Sequence, residues 1–153
     1  MGDYDQGLAM RDIVLGKKVD RATATLPQTA AAAIYTISGG RVLLTQIVGE
    51  VTVIIQTQAN NTKLTANPTT GTAVDICAVL SITADEVGTL YGITGLNTDA
   101  MIGINAGALP AQTRGVILPA GTLDLDCAAS NTGSVKWSLF YIPIDDGASV
   151  AAA

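Results

Sequence analysis

Residues 33–57, AIYTISGGRVLLTQIVGEVTVIIQT, decide the fold class of this chain. Val, Ile, Leu, Tyr and Thr dominate the stretch, and Gly39-Gly40 and Gly49 are its breaks. Branched and aromatic side chains fit a pleated, half-buried surface, whereas glycines at this spacing mark turns or bulges. The segment reads as consecutive antiparallel strands, divided at Gly39-Gly40 and again at Gly49. Similar runs follow at 21–26, 33–38, 41–48, 51–58, 62–66, 72–82, 87–93, 100–104, 115–118, 121–127 and 134–143, between Gly, Pro and Asn turn signals. In the last run Val135, Trp137, Leu139 and Tyr141 alternate with Lys136, Ser138 and Phe140, which assigns the only tryptophan to the core. Val53, Ile55, Ile76 and Leu80 are assigned there too.

Strands this numerous, without an internal helical period or a fixed repeat, predict an all-β antiparallel sandwich, jelly-roll-like, in preference to a closed barrel. A chain of 153 residues buries roughly 70% of its unfolded surface in one core and needs no covalent staple. Residues 1–20 stand apart. They hold only a loose apolar spacing, a weak pattern that allows a short helix, and read as an extended N-terminal arm that gains order by docking on a neighbour. The expected organisation is an arm at 1–20, a β-sandwich domain at 21–148 and a flexible tail at 149–153. Tyr4, Leu8, Met10, Ile13, Val14 and Leu15 are the candidate residues of that arm for contact with a partner or between subunits.

Charged residues make up 14% of the chain, against ~25% in an ordinary soluble domain, which suggests a surface partly covered by other subunits. The net charge is −5, and the first 21 residues are balanced: Asp3, Asp5, Asp12 and Asp20 against Arg11, Lys17, Lys18 and Arg21. Clustered cations and stacking aromatics are both missing, so nucleic acid is not an expected partner. Every apolar run is interrupted by Thr, Gln, Asp or Glu before it reaches membrane-spanning length, so no membrane span is expected. The opening MGDYDQGLAM lacks the apolar stretch of a signal peptide, and folding in a cytoplasm is expected. Cys77 and Cys127, both in strand-like runs, read as reduced small hydrophobes, with a cross-sheet bridge left open by spacing alone.

Histidine is absent, which removes Ser-His-Asp and Cys-His nucleophile activation and nearly all zinc sites. Paired carboxylates are the surviving route to catalysis, with Glu50, Glu86, Asp75, Asp124 and Asp126 available. Asp124 and Asp126 in LDLDC alternate with Leu123, Leu125 and Cys127, the pattern of a solvent-facing edge. Neither that pair nor Asp145-Asp146 matches a calcium loop. GTLYGITG lacks the strand and helix of a dinucleotide site, and LPQTA and Asn60-Asn61-Thr62 are short accidental matches, the latter read as a hairpin turn. The expectation is a non-enzymatic chain with no cofactor and no metal.

The run RATATLPQTAAAAIYTISGGRVLLTQIVGEVT, then IQTQANNTKLTANPTTGTAVDICAVL, and later DCAASNTGSVKWSLFYIPIDDGA, resemble a family of small virion proteins of tailed bacteriophages and prophages. SGGR, IVGEV, QANNTKL and AASNTGSVKW carry the likeness, which covers about Arg21 to Ala148. The resemblance implies a virion component, with no catalytic residues to transfer. The role it fits best is a capsid decoration or cement protein, a homotrimer bound to the major capsid protein lattice on the head surface and assembled in the host bacterial cytoplasm. Two rivals share the structural character or the surface location: a tail or baseplate component, and a carbohydrate-binding module, which needs exposed aromatics such as Tyr91. A phage glycan hydrolase or lyase would instead need Glu50 or Asp124 in a cleft.

Overall fold

The computed structural model describes residues 3–105 and 107–153, the side chains of the first two of these excepted. One helix, α1 (Asp3–Leu15), precedes twelve strands: β1 (Lys17–Thr25), β2 (Ala31–Ser38), β3 (Val42–Val53), β4 (Asn61–Pro68), β5 (Val74–Asp75), β6 (Leu80–Ser81), β7 (Leu90–Gly92), β8 (Ile102–Ile104), β9 (Val116–Leu118), β10 (Gly121–Cys127), β11 (Ser134–Pro143) and β12 (Ser149–Ala152). They form two six-stranded sheets, and every ladder within them is antiparallel. The first sheet runs β1-β11-β3-β7-β8, with β9 also on β3; the second runs β12-β2-β10-β4-β5, with β6 also on β4. The all-β expectation holds at this level. One hydrophobic cluster takes side chains from both sheets, Leu44, Ile47, Trp137 and Leu139 from the first and Tyr35, Ile37, Leu64 and Leu123 from the second.

β3 is the spine of the first sheet, and it corrects the expected division at Gly49. The strand passes straight through that residue, which pairs with Trp137 on one side and Tyr91 on the other. A Cβ on Gly49 would lie 2.7 Å from the Trp137 ring, and Tyr91 stacks on the same indole with centroids 6.3 Å apart. The glycine is there to admit a ring, not to turn the chain.

Val53 is a second correction. It is 52% exposed, although alternation from Val51 places it inward. Between Val51 and Val53 the strand advances two residues while β11 advances one, from Val135 to Ser134. The extra residue, Thr52, turns Val53 outward at the end of the strand, and beyond it Ile54 is exposed and Ile55 buried. The same device between Leu44 and Gln46 explains why Gln46 and Ile47 are both buried. Trp137, Leu139, Tyr141, Ile55 and Ile76 are buried as expected, and Leu80 is packed partly against them.

Both ends of the chain differ from expectation. The body begins at Lys17, because residues 17–20 pair with Tyr141 to Ser138 as the start of β1. The tail at 149–152 is strand β12 on the edge of the second sheet, and Ala153 donates its N–H to Ile34 O at 3.1 Å. What fixes this end is Asp145, whose carboxylate accepts from the Arg41 main-chain N–H, Nε and Nη2 at 2.8 to 2.9 Å. Cys77 and Cys127 are buried free thiols. Among the described residues no helix is long and apolar enough to cross a membrane.

The polar ends of the loops are joined by side chains rather than by strand pairing. Asn60 is fully buried; its Nδ2 donates to Ala129 O and its Oδ1 accepts from Ala129 N–H, both at 3.1 Å. Asn131, equally buried, donates to Gln56 O and Gln58 O. The QANNTKL and AASNTGSVKW stretches are therefore two halves of one loop staple, and Asn60 is not the hairpin turn its sequence suggests. Asn60→Ala strands the Ala129 N–H and C=O without partners, so chemical denaturation should show a loss of about 1–3 kcal/mol.

Acid sensitivity follows from four carboxyls. The Arg41 side chain holds Asp145 well below the usual carboxylate range, the Lys63 ammonium lowers Asp75, and the Ser138 hydroxyl lowers Asp20. Each contributes stability that is present above the unfolded carboxylate value and is lost as pH falls through the lower folded value. Asp85 has the opposite sign: burial raises it against the Tyr91 hydroxyl bond, so its contribution is full in acid and fades as pH rises through the raised value. Three lowered groups against one raised group predict melting temperatures that fall below about pH 4. Arg41→Met should flatten part of that fall in melting curves, leaving the remainder to Asp75 and Asp20.

Candidate functional site

The helix α1 is built where the sequence suggested an extended arm. Its apolar residues occupy two opposite faces, so no single amphipathic stripe announces it. Leu8, Arg11 and Leu15, spaced three and four apart, are half-buried toward the first sheet. The Arg11 guanidinium lies 6.0 Å from the centre of the Phe140 ring, and the Thr45 hydroxyl reaches Leu15 O at 2.5 Å. Met10, Ile13 and Val14 lie on the other side, 66%, 80% and 68% exposed. The side chain of Tyr4 is outside the described residues. Of the six candidate contact residues, then, Leu8 and Leu15 anchor the helix to its own body, and Met10, Ile13 and Val14 form an outward ridge.

Gly16 ends the helix and aims it. Its φ is +84°, its N–H bonds to Asp12 O at 3.0 Å, and a Cβ there would fall 2.0 Å from Tyr141 O. Only glycine takes this left-handed cap and fits against the β11 backbone.

An apolar band leads away from that joint. Ile142 of β11, Leu43 of β3 and Ile117 of β9 are direct cross-strand neighbours on the first sheet, with Ile142 38% and Ile117 61% exposed. Ile142 lies against the Gly16 backbone. At the far end, Ile117 joins Pro68, Val74, Ile76, Leu96 and Pro119 around a cleft of about 410 Å³ between β5 of one sheet and β9 of the other. Val74 and Leu96 are exposed in it. No sequence signal marked this cleft, because its walls come from three segments far apart in the chain.

Glu50 and Asp124, the two acids named for glycan cleavage, lie on different sheets, whereas Asp75, Asp124 and Asp126 share the second sheet on β5 and β10, on either side of β4. Glu50 belongs to the first sheet and pairs with Lys136 at 3.3 Å; Asp124 belongs to the second. Asp124 does not sit on an edge: β10 is flanked by β2 and β4, and the carboxylate is buried, accepting from Thr122 Oγ1 at 2.7 Å and Asn67 Nδ2 at 3.4 Å. Among the described residues no three His, Cys, Asp or Glu side chains are grouped to hold a metal ion. Tyr91 is buried beneath Trp137 and presents no stacking face to solvent. No family model, curated protein or solved structure matches the chain.

Proposed function

We propose that this protein is a structural, non-enzymatic component of a tailed-phage virion, a capsid decoration protein that binds the major capsid protein lattice as a homotrimer. The observation that carries the reading is α1: a helix pinned to the body through Leu8, Arg11 and Leu15 that offers Met10, Ile13 and Val14 to a partner. Large apolar side chains held out on a rigid base are what an assembly contact requires. The resemblance of the Arg21 to Ala148 region to small virion proteins points the same way.

The body is read more finely as a jelly-roll sandwich. Its support is the strand order: β1, β3, β7 and β11 in one sheet against β2, β4, β5 and β10 in the other, with β1 next to β11 and β2 next to β10. Successive strands cross between sheets at each of the first three connections and again at each of the last three. A double Greek key, as in viral capsid domains among others, would give that alternation, which supports the reading. The carbohydrate-binding alternative loses its named platform with Tyr91 buried.

Quantitative gel densitometry of purified virions tests the function. A decoration protein is present in hundreds of copies per particle and leaves the head when mildly stripped; a handful of copies that stay with isolated tails would assign the chain to the tail or baseplate instead.

A further inference from the structure

We infer that the Asp146–Gly147 peptide is a modification site, where the Asp146 carboxyl closes on the Gly147 nitrogen and reopens as an isoaspartyl link that loosens β12 from its sheet. Asp146 is the one Asp or Asn of the chain that precedes a glycine. It lies in the turn between β11 and β12, which a single main-chain bond closes, from Ala148 N–H to Asp145 O at 3.1 Å. Gly147, with φ at +82°, is the third residue of that turn. Both reacting groups are free. Asp146 is exposed, and among the described residues its carboxylate has no hydrogen-bond or ion-pair partner, in contrast to Asp145 beside it. The Gly147 N–H likewise bonds to no described residue. Apart from its chain neighbours, nothing lies within 4 Å of where a Cβ on Gly147 would sit, so no side chain blocks the approaching carboxyl.

The chemistry needs no co-reactant besides water. The Gly147 nitrogen attacks Asp146 Cγ; a C–N bond forms, the Cγ–OH bond breaks, and the amide proton leaves with the hydroxyl as water. Water then adds to the cyclic imide. Cleavage at Cγ restores aspartate, whereas cleavage at the main-chain carbonyl leaves the backbone running through Cβ and Cγ, longer by the Cβ carbon, with the α-carboxylate as a side group. The turn has no slack for that carbon. On one side Asp145 is clamped by the Arg41 main-chain N–H, Nε and Nη2. On the other, Ala148 and Val150 are buried in the shared core. Gly39 packs on the turn so closely that a Cβ there would fall 2.5 Å from Gly147 O. Between these fixed points a longer link displaces β12, whose ladder on β2 runs only from Ser149 opposite Ser38 to Ala152 opposite Tyr35. β2 is then left as an open sheet edge.

The test is ageing of the full chain for weeks in neutral buffer at physiological temperature, beside Asp146→Glu, whose longer side chain closes the corresponding ring far more slowly. Thermal melting of fresh samples establishes that both are folded. In the aged parent, the tryptic peptide that begins at Trp137 should split into two chromatographic peaks of identical mass, with a minor species lighter by one water. Asp146→Glu should give a single peak. Hydrogen exchange at Ser149 to Ala152 should be about tenfold faster in the aged parent than in the fresh one, and unchanged by age in the variant. A folded parent that stays intact while the same chain held in urea isomerises would show that the turn protects the site, and would overturn the inference. So would a doublet that persists in Asp146→Glu, or an isomerised chain whose β12 exchanges no faster than before. None of these outcomes bears on the virion reading, which stands or falls on the copy number per particle.

Discussion

Gly49→Ala is expected to lower the free energy of unfolding by about 1–3 kcal/mol, the cost of forcing an added methyl into a packed core. The methyl would arrive 2.7 Å from the Trp137 ring, which is buried and stacked with Tyr91 at 6.3 Å between centroids, so the indole must shift within a packed core to admit it. Trp137→Ala should cost more, about 3–5 kcal/mol, because it empties the largest buried side chain of the shared core. The pair is coupled. With the ring gone the Gly49 methyl fills part of the vacated space, so the double variant should be more stable than the sum of the two losses predicts, by on the order of 1 kcal/mol or more. Urea unfolding of the four proteins measures this directly. Strict additivity would mean that Gly49 is needed for its backbone and not for the ring beside it.

That residue also shows how far a sequence can be read here. The alternation around Trp137 was legible because one inward face and one outward face persist along β11, and the strand appears at the expected 134–143. Gly49 was not, since a glycine that turns a chain and one that makes room for a ring from a strand more than 80 residues away look the same along the chain. Val53 was misplaced by a single bulge at Thr52, a property of pairing with β11 and invisible in β3 alone. Asp124 read as an edge residue because the position of β10 within its sheet is set by β2 and β4. The helix was only weakly legible for a different reason: Leu8 and Leu15 serve one surface and Met10, Ile13 and Val14 another, and two opposed stripes cancel as a periodic signal.

Removing residues 1–15 is expected to leave a folded body and to abolish attachment to capsids. The cut falls before Gly16, so β1 keeps its full register on β11 from Lys17 onward. A cut after residue 20 would instead take the first residues of that edge strand and confound binding with stability. The truncated chain loses the packing of Leu8, Leu15 and Arg11 on Phe140 and Thr45, a surface contact, and should melt close to the parent. Its occupancy on empty heads should drop to background in a pelleting assay. Met10→Asp with Ile13→Asp, which leaves the helix in place and spoils only its ridge, should reproduce most of that loss. Full occupancy by the truncated chain would place the contact elsewhere on the body.

The most direct measurement of the central claim is a cryo-electron microscopy reconstruction of phage heads with this protein bound. The account predicts compact two-sheet densities at repeated positions over the head lattice, joined to their surroundings through α1. Density confined to the tail, or none on the head at saturating protein, would contradict it.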